Sequence, residues 1–364
     1  HSLLGYDGEK FSKNENNQLT QSVIMLDEAG MVSSELMFNL LKAINFSHTT
    51  LLIVGDSAQL QSIDVGDVYG NILEKNLCKG ITLDKVYRQR EDQVINLVAQ
   101  SIRLAQLPKY QGTFEDFVFI GASGENIITE IESVAKKYVQ QLHMQLLNDD
   151  FKGYIESFQI IAPTKKKALG THALNNVLQA IFNRGTIGDE VQIKTDEQDN
   201  IIKARDKVIH QKNQIMRTMT TDEFMIYSDK GVMPEKIVEQ KVFNGQIGVV
   251  MEVNRSFDNY KGGIFVYYPD NDYVAIYTTN DISRYLLIDL AYAITVHKSQ
   301  GSQYKTVVMP MAGQYHYMLN NKLTYTAITR AKDMLYVIGE HKAFMRGCTN
   351  KDEIYRNTVL SRLH

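Results

Sequence analysis

Short apolar runs, each ending in turn or polar residues, alternate with helical patterns along much of this chain. Residues 23–26, 51–54 and 158–162 are such runs. Between the first two, apolar residues recur at helical spacing up to Ile44, behind Ser33 as a suitable N-cap. Runs of this length are typical of buried parallel strands, and strand–helix–strand is the repeat of a parallel sheet. The pattern therefore predicts an α/β protein with mainly parallel sheets.

A different pattern occupies residues 241–280. Asn244-Gly245 is a strong hairpin signal, and three short strand-like runs separated by Gly and by Asn or Asp follow it. This stretch predicts a small β-barrel inserted into the α/β body. The preceding segment, residues 216–240, is polar and gives no clear prediction.

Composition and charge narrow the class of protein. The chain has 364 residues, 44% of them apolar, and a net charge of −3, which suits about two domains and a local rather than global basic surface. No apolar run approaches the ~20 residues of a membrane span, so no membrane partner is expected. Cys78 and Cys348 form no metal or disulfide spacing, which favours the cytoplasm. Because the chain starts at His1 and lacks a signal-peptide pattern, we expect it to be part of a longer protein.

Two adjacent acids follow the first apolar run. Asp27 and Glu28 come directly after residues 23–26, and ligands of open α/β sheets bind outside the carboxyl ends of strands. One carboxylate can hold Mg²⁺ through water, and the next can orient an attacking water. Two solvated acids are the alternative interpretation. The next strand run ends near Asp56 and Gln59, which can support Mg²⁺ and contact a γ-phosphate, so the two strand ends together favour a nucleotide site.

Two arginines stand in short polar windows beside apolar sequence. Arg88 lies in residues 86–89, and Arg330 lies in residues 325–332. Because a guanidinium is always charged and binds phosphate through two nitrogens, either can act as an arginine finger, which is worth about 10³ to 10⁵ in rate. A surface ion pair worth about 0 to 1 kcal/mol is the common alternative for any single arginine.

Two polar segments suit contact with a nucleic-acid backbone. Residues 293–303 combine a hydroxyl, an imidazole, a lysine and amides in one loop, which can contact sugar and phosphate without reading bases. Residues 162–167 place Pro163 and Thr164 at a helix start before three lysines, an arrangement that suits phosphate. A polar turn and a solvated helix face are the respective alternatives.

Taken in order, these segments resemble the motifs of superfamily 1 helicases, most closely the RecD-like family in its stand-alone form. The matching segments are HSLLG at 1–5 (motif Ia), LDEA at 26–29 (Walker B), GDSAQL at 55–60 (motif III), VYRQ at 86–89 (motif IV), NGQIG at 244–248 (start of the inserted barrel), TVHKSQGS at 295–302 (motif V) and YTAITRA at 325–331 (motif VI). The resemblance covers nearly the whole chain and is weakest at 216–240.

The resemblance implies two RecA-like lobes with ATP between them, single-stranded DNA across both lobes, and translocation from 5′ to 3′. It assigns residues 1–107 to the remainder of lobe 1A, with a short pin hairpin at about 5–21 that splits a duplex. It assigns residues 108–215 and 281–364 to lobe 2A, and residues 216–280 to an inserted segment and a barrel of the Src-homology-3 type.

The resemblance also implies roles for individual residues. The catalytic residues are Glu28 as base, Gln59 as γ-phosphate sensor, and Arg88 and Arg330 as fingers. The cofactor-binding residues are Asp27, which holds Mg²⁺ through water, and Asp56, Gly301 and Gln303. Gln303 stands where the family usually has a Glu that meets the nucleotide ribose. The DNA-binding residues are Pro163, Thr164, Asn244, Thr295, His297, Lys298 and Gln300.

One motif of the family has no counterpart in the sequence. The chain contains no G-x-x-x-x-G-K-[ST] loop, whose backbone amides and lysine cradle phosphates, and in this family that loop precedes motif Ia. We therefore expect these 364 residues to be nearly inert as an ATPase by themselves. The parent would be a monomeric cytoplasmic helicase of bacterial or phage origin that uses ATP and Mg²⁺. It would act on single-stranded DNA and on duplex or fork junctions in repair and recombination.

Three other functions fit the same residues. The helicase tail of a conjugative relaxase would follow an upstream nickase domain with a catalytic Tyr and a His cluster. An RNA-directed helicase would have to sense the 2′-hydroxyl. A non-catalytic nucleic-acid-binding remnant, which the missing loop favours, would bind DNA without responding to ATP. The joint presence of the acid pair, Gln59 and two arginines argues against a remnant, because DNA binding without ATP hydrolysis does not require these residues.

Overall fold

Parallel and antiparallel sheets form separate parts of the computed structural model. It describes residues 1, 3–6, 9–83, 93–109, 114–185, 190–194, 199–234, 237–254, 263–278, 281–282 and 285–351. Arg88 and the rest of residues 86–89 lie outside these ranges, so the expected finger at that position stays a prediction.

The described residues form ten α-helices and sixteen strands. The helices are α1 (Ser34–Lys42), α2 (Val68–Glu74), α3 (Val94–Arg103), α4 (Asn126–Lys136), α5 (Val139–Leu147), α6 (Phe151–Ser157), α7 (Thr171–Phe182), α8 (Thr221–Lys230), α9 (Asn321–Ile328) and α10 (His341–Thr349). The strands are β1 (Val23–Leu26), β2 (Thr50–Ile53), β3 (Phe117–Gly121), β4 (Phe158–Ala162), β5 (Glu190–Lys194), β6 (Asp199–Lys203), β7 (Lys207–His210), β8 (Gln214–Met219), β9 (Val238–Val242), β10 (Ile247–Asn254), β11 (Gly263–Tyr268), β12 (Tyr273–Thr278), β13 (Ile288–Leu290), β14 (Ala293–Thr295), β15 (Tyr304–Met311) and β16 (Ala331–Gly339).

The predicted parallel α/β architecture is confirmed. Strands β1 and β2 pair in parallel, with α1 connecting them. A five-stranded sheet has the order β14-β4-β15-β16-β3, and all of its pairings are parallel. Every residue of β4 is buried, because β14 and β15 flank this strand and α6 packs on it. That explains the continuous apolar run in the sequence.

The antiparallel part is a seven-stranded sheet with the order β13-β7-β10-β11-β12-β8-β9, and β5 and β6 form a separate hairpin. The three predicted runs are β10, β11 and β12. No pairing among the described residues joins β13 to β9, so a closed barrel is not seen. The sheet also takes in β7 and β13, outside the predicted insertion at 216–280. The polar segment 216–240 contains α8, which begins with a capping box formed by Thr220 and Glu223.

The hairpin prediction at Asn244-Gly245 is wrong. A turn is present, but β9 and β10 on either side of it do not pair; β9 pairs with β8, and β10 pairs with β7 and β11. The Gly245 amide instead donates to the His210 carbonyl oxygen at 2.9 Å. The local residues determine a chain reversal, whereas burial and register select the partner strand.

Two of the hydrophobic cores in the described part of the chain involve the parallel sheets. A small core contains Ile24, Met37 and Leu40 from β1 and α1, and a large core runs through the five-stranded and antiparallel sheets. Helix α3 contributes Ile95 and Ile102 to the large core and packs on α9. The predicted lobe boundary at residue 107 stays a prediction. No helix of the described residues is long and apolar enough to cross a membrane.

Candidate nucleotide cavity and nucleic-acid groove

Two adjoining openings lie between β1–β2, the carboxyl ends of the five-stranded sheet, and the turns of the antiparallel sheet. The first is a cavity of about 510 Å³, and the second is a groove of about 980 Å³. Their shared wall consists of Gly245, Gln246, Asp270 and Ser302. A cavity of this volume lies within the range of about 300 to 1,000 Å³ that is usual for small-molecule sites.

The cavity brings together residues from both ends of the sequence. The predicted site residues that line it are Asp27, Glu28, Gly301, Gln303 and Arg330. Four further charged residues line it without having been predicted, and they are Lys152, Glu156, Asp270 and Lys332. Lys152 lies 3.5 Å from Asp270 and 4.0 Å from Glu156. Exposed pairs of this kind contribute about 0 to 1 kcal/mol, so they shape the local charge more than the stability.

The end of β1 holds the acid pair in an unusual backbone conformation. Glu28 has φ 50° and ψ 42°, in the left-handed region that residues other than Gly rarely adopt. The Glu28 amide donates to Asp27 Oδ1 at 2.8 Å, and the Ala29 amide donates to the Val54 carbonyl oxygen at 2.9 Å. These bonds turn the chain out of the strand. Backbone strain of this kind persists where the surroundings require it, and it concentrates at functional sites.

Arg330 is 4% exposed and is held by its own helix and by the backbone at Ser302. Its Nε donates to the Thr326 carbonyl oxygen at 3.1 Å, and Nη1 donates to the Ser302 carbonyl oxygen at 3.2 Å. Nη2 donates to the Thr329 hydroxyl at 3.2 Å. A planar guanidinium satisfies three acceptors at once, which an ammonium cannot do in the same geometry. The cation on the cavity wall is therefore held in place before any ligand arrives.

The donor set fits a magnesium nucleotide in part. No cluster of three or more metal-ligating side chains occurs in the described ranges. Mg²⁺ commonly keeps several waters and binds one or two carboxylates together with phosphate oxygens, so Asp27 alone is a sufficient protein ligand. Arg330 supplies a fixed cation. The phosphate-cradling loop is the component that these 364 residues do not contain.

Asp56 and Gln59 do not line the cavity. The Asp56 carboxylate accepts from the Tyr325 hydroxyl at 2.9 Å and lies 3.8 Å from Arg103. Burial, then the charge of Asp56, raises the pKa of Tyr325 above its usual range, so this hydroxyl stays a donor. Gln59 Oε1 is buried and has no hydrogen-bond partner among the described residues. Their predicted roles at the nucleotide stay predictions.

The groove collects every predicted DNA-binding residue. These are Pro163, Thr164, Asn244, Thr295, His297, Lys298 and Gln300. They come together because β4 and β14 are parallel neighbours, with Ala162 opposite Thr295 in the register. The residues that follow the two strands therefore leave the sheet side by side.

Apolar side chains also line the groove, and sequence reasoning missed them. They are Met31, Ile63, Phe243 and Met318. Ile63 is 78% exposed and Phe243 is 43% exposed, whereas apolar residues in a sequence ordinarily indicate core. The available signal was the position of Phe243 directly before the Asn244-Gly245 turn.

Two glycines are required where the antiparallel sheet meets the groove. Gly245 has φ 88°, a conformation that favours glycine. A Cβ on Gly248 would lie 2.6 Å from Val266 Cγ1 and 2.7 Å from the Tyr267 carbonyl oxygen. The spacing of the two glycines therefore reflects one turn and one close approach of β10 to β11.

Lys298 is the most strongly perturbed cation of the groove. Its Nζ donates to the Gln211 side-chain oxygen. Burial and, second to it, the positive charge of Lys165 lower the pKa of Lys298 to about 8, and Asp289 opposes this shift. Burial also lowers the pKa of the neighbouring His297. Lys298 is consequently charged at neutral pH and loses its charge in mildly alkaline solution.

Comparisons with known proteins give two family matches and several relatives. The family described as AAA domain matches residues 2–116, and the family described as UvrD-like helicase C-terminal domain matches residues 290–338. The chain is 27% identical over 363 residues to the ATP-dependent RecD2 DNA helicase of Deinococcus radiodurans. It is 26% identical over 374 residues to the RecBCD enzyme subunit RecD of Mycolicibacterium smegmatis. These alignments cover 100% of this chain but only 42% and 58% of the two relatives.

Among solved structures, the Pif1 helicase from Candida albicans matches with a TM-score of 0.50 at 17% identity. The match covers 91% of this chain and 74% of that chain, and it supports an α/β fold with helicase-like lobes. The relatives, the two family matches and the order of the motifs agree with one another. The chain is therefore similar, over its whole length, to RecD-like superfamily 1 helicases.

Proposed function

We propose that this chain is the motor core of an ATP-dependent DNA helicase. It would move from 5′ to 3′ along single-stranded DNA and separate duplex at forks by hydrolysing ATP between two RecA-like lobes, in DNA repair or recombination. The observation that carries the proposal is the shared wall. A cavity with the acid pair and Arg330 adjoins a groove with all seven backbone-contact candidates.

The chemistry of the groove supports a single strand as its occupant. Its hydroxyl, amide and lysine groups suit sugar and phosphate, which carry no sequence information. Its apolar members, Phe243 among them, suit the faces of unpaired bases, where each stacked base is worth about 1 to 3 kcal/mol. Duplex DNA presents its bases only edge-on, so this mixture favours a single strand.

The chemistry of the cavity supports phosphoryl transfer to water. A bound magnesium nucleotide would supply the phosphoryl group and neutralise its developing charge. Asp27 would hold the ion through water, and Glu28, held by its left-handed backbone, would orient the attacking water. Arg330, already fixed by three hydrogen bonds, would face the charge of the transferred group.

The extent of the chain limits what its relatives imply. It spans about two fifths of the RecD2 helicase and less than two thirds of the RecD subunit. The activity of the whole protein, its DNA substrates, its monomeric state and a cytoplasmic location are therefore all part of the proposal.

The test uses the full-length gene product. In Glu28→Gln we expect ATP turnover and duplex unwinding to disappear while binding of a single-stranded oligothymidine persists. Glu156→Gln is the matched control, because Glu156 lines the same cavity but pairs with Lys152 and Lys332. Unchanged ATP turnover in Glu28→Gln would contradict the base role. Unwinding of duplexes with a 3′ tail but not with a 5′ tail would contradict the direction.

The remnant and the relaxase tail make different predictions. A remnant binds the oligothymidine with the same affinity with or without ATP, whereas the affinity of a motor for the oligothymidine changes when ATP is bound.

The relaxase alternative is relevant because one relative is the conjugal transfer protein TraA of Agrobacterium fabrum, 23% identical over 86% of this chain and 24% of that protein. A nickase domain encoded upstream of residue 1 would favour a relaxase, and a phosphate-binding loop without such a domain would favour the stand-alone motor.

A further inference from the structure

The Leu60 peptide is held at both of its polar atoms by residues far away in the sequence. Its amide donates to the Thr326 hydroxyl at 2.9 Å, and its carbonyl oxygen accepts from the Gln300 side-chain amide at 3.1 Å. The side chain of Leu60 is 8% exposed and belongs to the large core, whereas β1, α1 and α2 contribute to the small core. Leu60 therefore joins the two parts of the chain.

Each of these hydrogen bonds continues into one of the two openings. On one side, Gln300 itself lines the groove. On the other side, the Thr326 carbonyl oxygen accepts from Arg330 Nε at 3.1 Å, and Arg330 lines the cavity with Asp27. The continuous path from groove to cavity is thus Gln300, Leu60, Thr326 and Arg330.

Thr326 connects the Leu60 peptide to the Arg330 side chain. Thr326 is fully buried and lines neither opening. Its hydroxyl donates to the Lys322 carbonyl oxygen at 2.8 Å, so a lone pair of the oxygen is what receives the Leu60 amide. The hydroxyl of the preceding residue, Tyr325, donates a hydrogen bond to the Asp56 carboxylate in the same loop. Helix α9 thereby holds residues 56–60 at two adjacent points.

We propose that Thr326 is a positioning residue that couples occupancy of the groove to the placement of Arg330 in the cavity. The proposal rests on the proposed function, because it assumes a strand in the groove and a nucleotide in the cavity. A strand that displaces Gln300 moves the Leu60 carbonyl. Hydrogen bonds near 3 Å weaken steeply when stretched or bent. When Leu60 moves, Thr326 and the Arg330 guanidinium therefore either move with it or lose the hydrogen bonds that join them. Chains of hydrogen bonds can carry coupling between two sites, and here the chain has four members.

The chain offers a closely matched control on the same helix. Thr324 is also fully buried, and its hydroxyl donates to the Asn320 carbonyl oxygen at 2.9 Å. No hydrogen bond from Thr324 to residues 56–60 occurs in the described part of the chain. Thr324→Val and Thr326→Val thus each remove one hydroxyl bond within α9, but only the second removes the acceptor of the Leu60 amide. Thr326→Ser keeps that acceptor and tests for rescue.

The experiment measures ATP turnover of the full-length gene product with and without saturating oligothymidine. In Thr326→Val we expect the ratio of the two rates to fall about tenfold, which corresponds to about 1.4 kcal/mol. In Thr326→Ser and Thr324→Val the ratio should stay within about twofold of the parent protein. Amide hydrogen exchange at Leu60 should be faster in Thr326→Val than in Thr324→Val.

Three results would overturn the inference. An unchanged ratio in Thr326→Val refutes the coupling and leaves the proposed function standing. An equal loss in Thr324→Val assigns the effect to the stability of α9 and also refutes the coupling. A parent protein whose ATP turnover does not respond to the strand refutes the proposed function and the coupling together.

Discussion

Replacing Lys298 by Arg should abolish most of the pH dependence of single-strand binding between about pH 7 and pH 9. Burial lowers the pKa of Lys298 to about 8, so its charge is lost within this range. Arginine stays charged throughout the range because its pKa is above about 12. Lys298 lines the groove, where a positive charge is expected to meet phosphate.

The magnitude follows from the protonation equilibrium. With a pKa of about 8, about nine tenths of the lysine is charged at pH 7 and about one tenth at pH 9. A phosphate binds the charged form, so raising the pH costs affinity, by at most about tenfold or about 1.4 kcal/mol over this interval. His297 titrates below its usual range because it is buried, and it therefore does not contribute in this interval.

Fluorescence anisotropy of a labelled oligothymidine, titrated at several pH values and salt concentrations, measures the effect. Lys298→Met should lower the affinity already at pH 7 and reduce the slope of log K against log salt by about 0.7. Lys165→Met should move the loss of affinity to higher pH, because the charge of Lys165 lowers the pKa of Lys298. If Lys298→Arg loses affinity over the same interval as the parent protein, another group carries the pH dependence and the reasoning is wrong.

Two further predictions concern catalysis and stability. In the full-length gene product, Arg330→Lys should lower ATP turnover at least about 10³-fold. An ammonium reproduces neither the three hydrogen bonds of Arg330 nor the two-nitrogen contact of a guanidinium with phosphate. Steady-state turnover near that of the parent protein would contradict the finger role. Gly248→Ala should lower the free energy of unfolding by about 1 to 3 kcal/mol, because the added methyl group would lie 2.6 Å from Val266. Urea denaturation measures this, and Gly121→Ala, whose Cβ meets nothing closer than 3.9 Å, is the control that should change little.

Much of the candidate site could be predicted from the sequence because its residues follow strands. Asp27 comes after β1, Thr164 after β4 and Thr295 at the end of β14. In a parallel sheet these ends meet at one edge, so residues distant in sequence become neighbours once the strands are recognised. The apolar run of β4 is readable because this strand is buried on both faces, whereas β1 leaves Val23 and Met25 exposed on one face.

The remaining members escaped prediction for different physical reasons. Phe243 lines the groove as an exposed apolar side chain, whereas composition alone assigns such residues to a core. Asp270 lies in the turn between β11 and β12, and its place in the cavity wall depends on how two sheets pack. The pairing of β9 with β8 rather than β10 likewise depends on burial across the whole antiparallel sheet.

By itself, the sequence indicated the α/β class, and the resemblance of its motifs to those of superfamily 1 helicases predicted seven of the residues that meet in the groove. The class follows from short apolar runs that alternate with helical spacing, and the meeting of those residues follows from the shared direction of parallel strands. Only the tertiary structure decided that Leu60 is held between Gln300 and Thr326, that Asp56 meets Tyr325 rather than the cavity, and that the Ser302 carbonyl oxygen helps to fix Arg330. Such contacts join residues up to 269 positions apart. Hydrogen bonds depend on distances within a few tenths of an ångström, which only the packing of complete elements establishes.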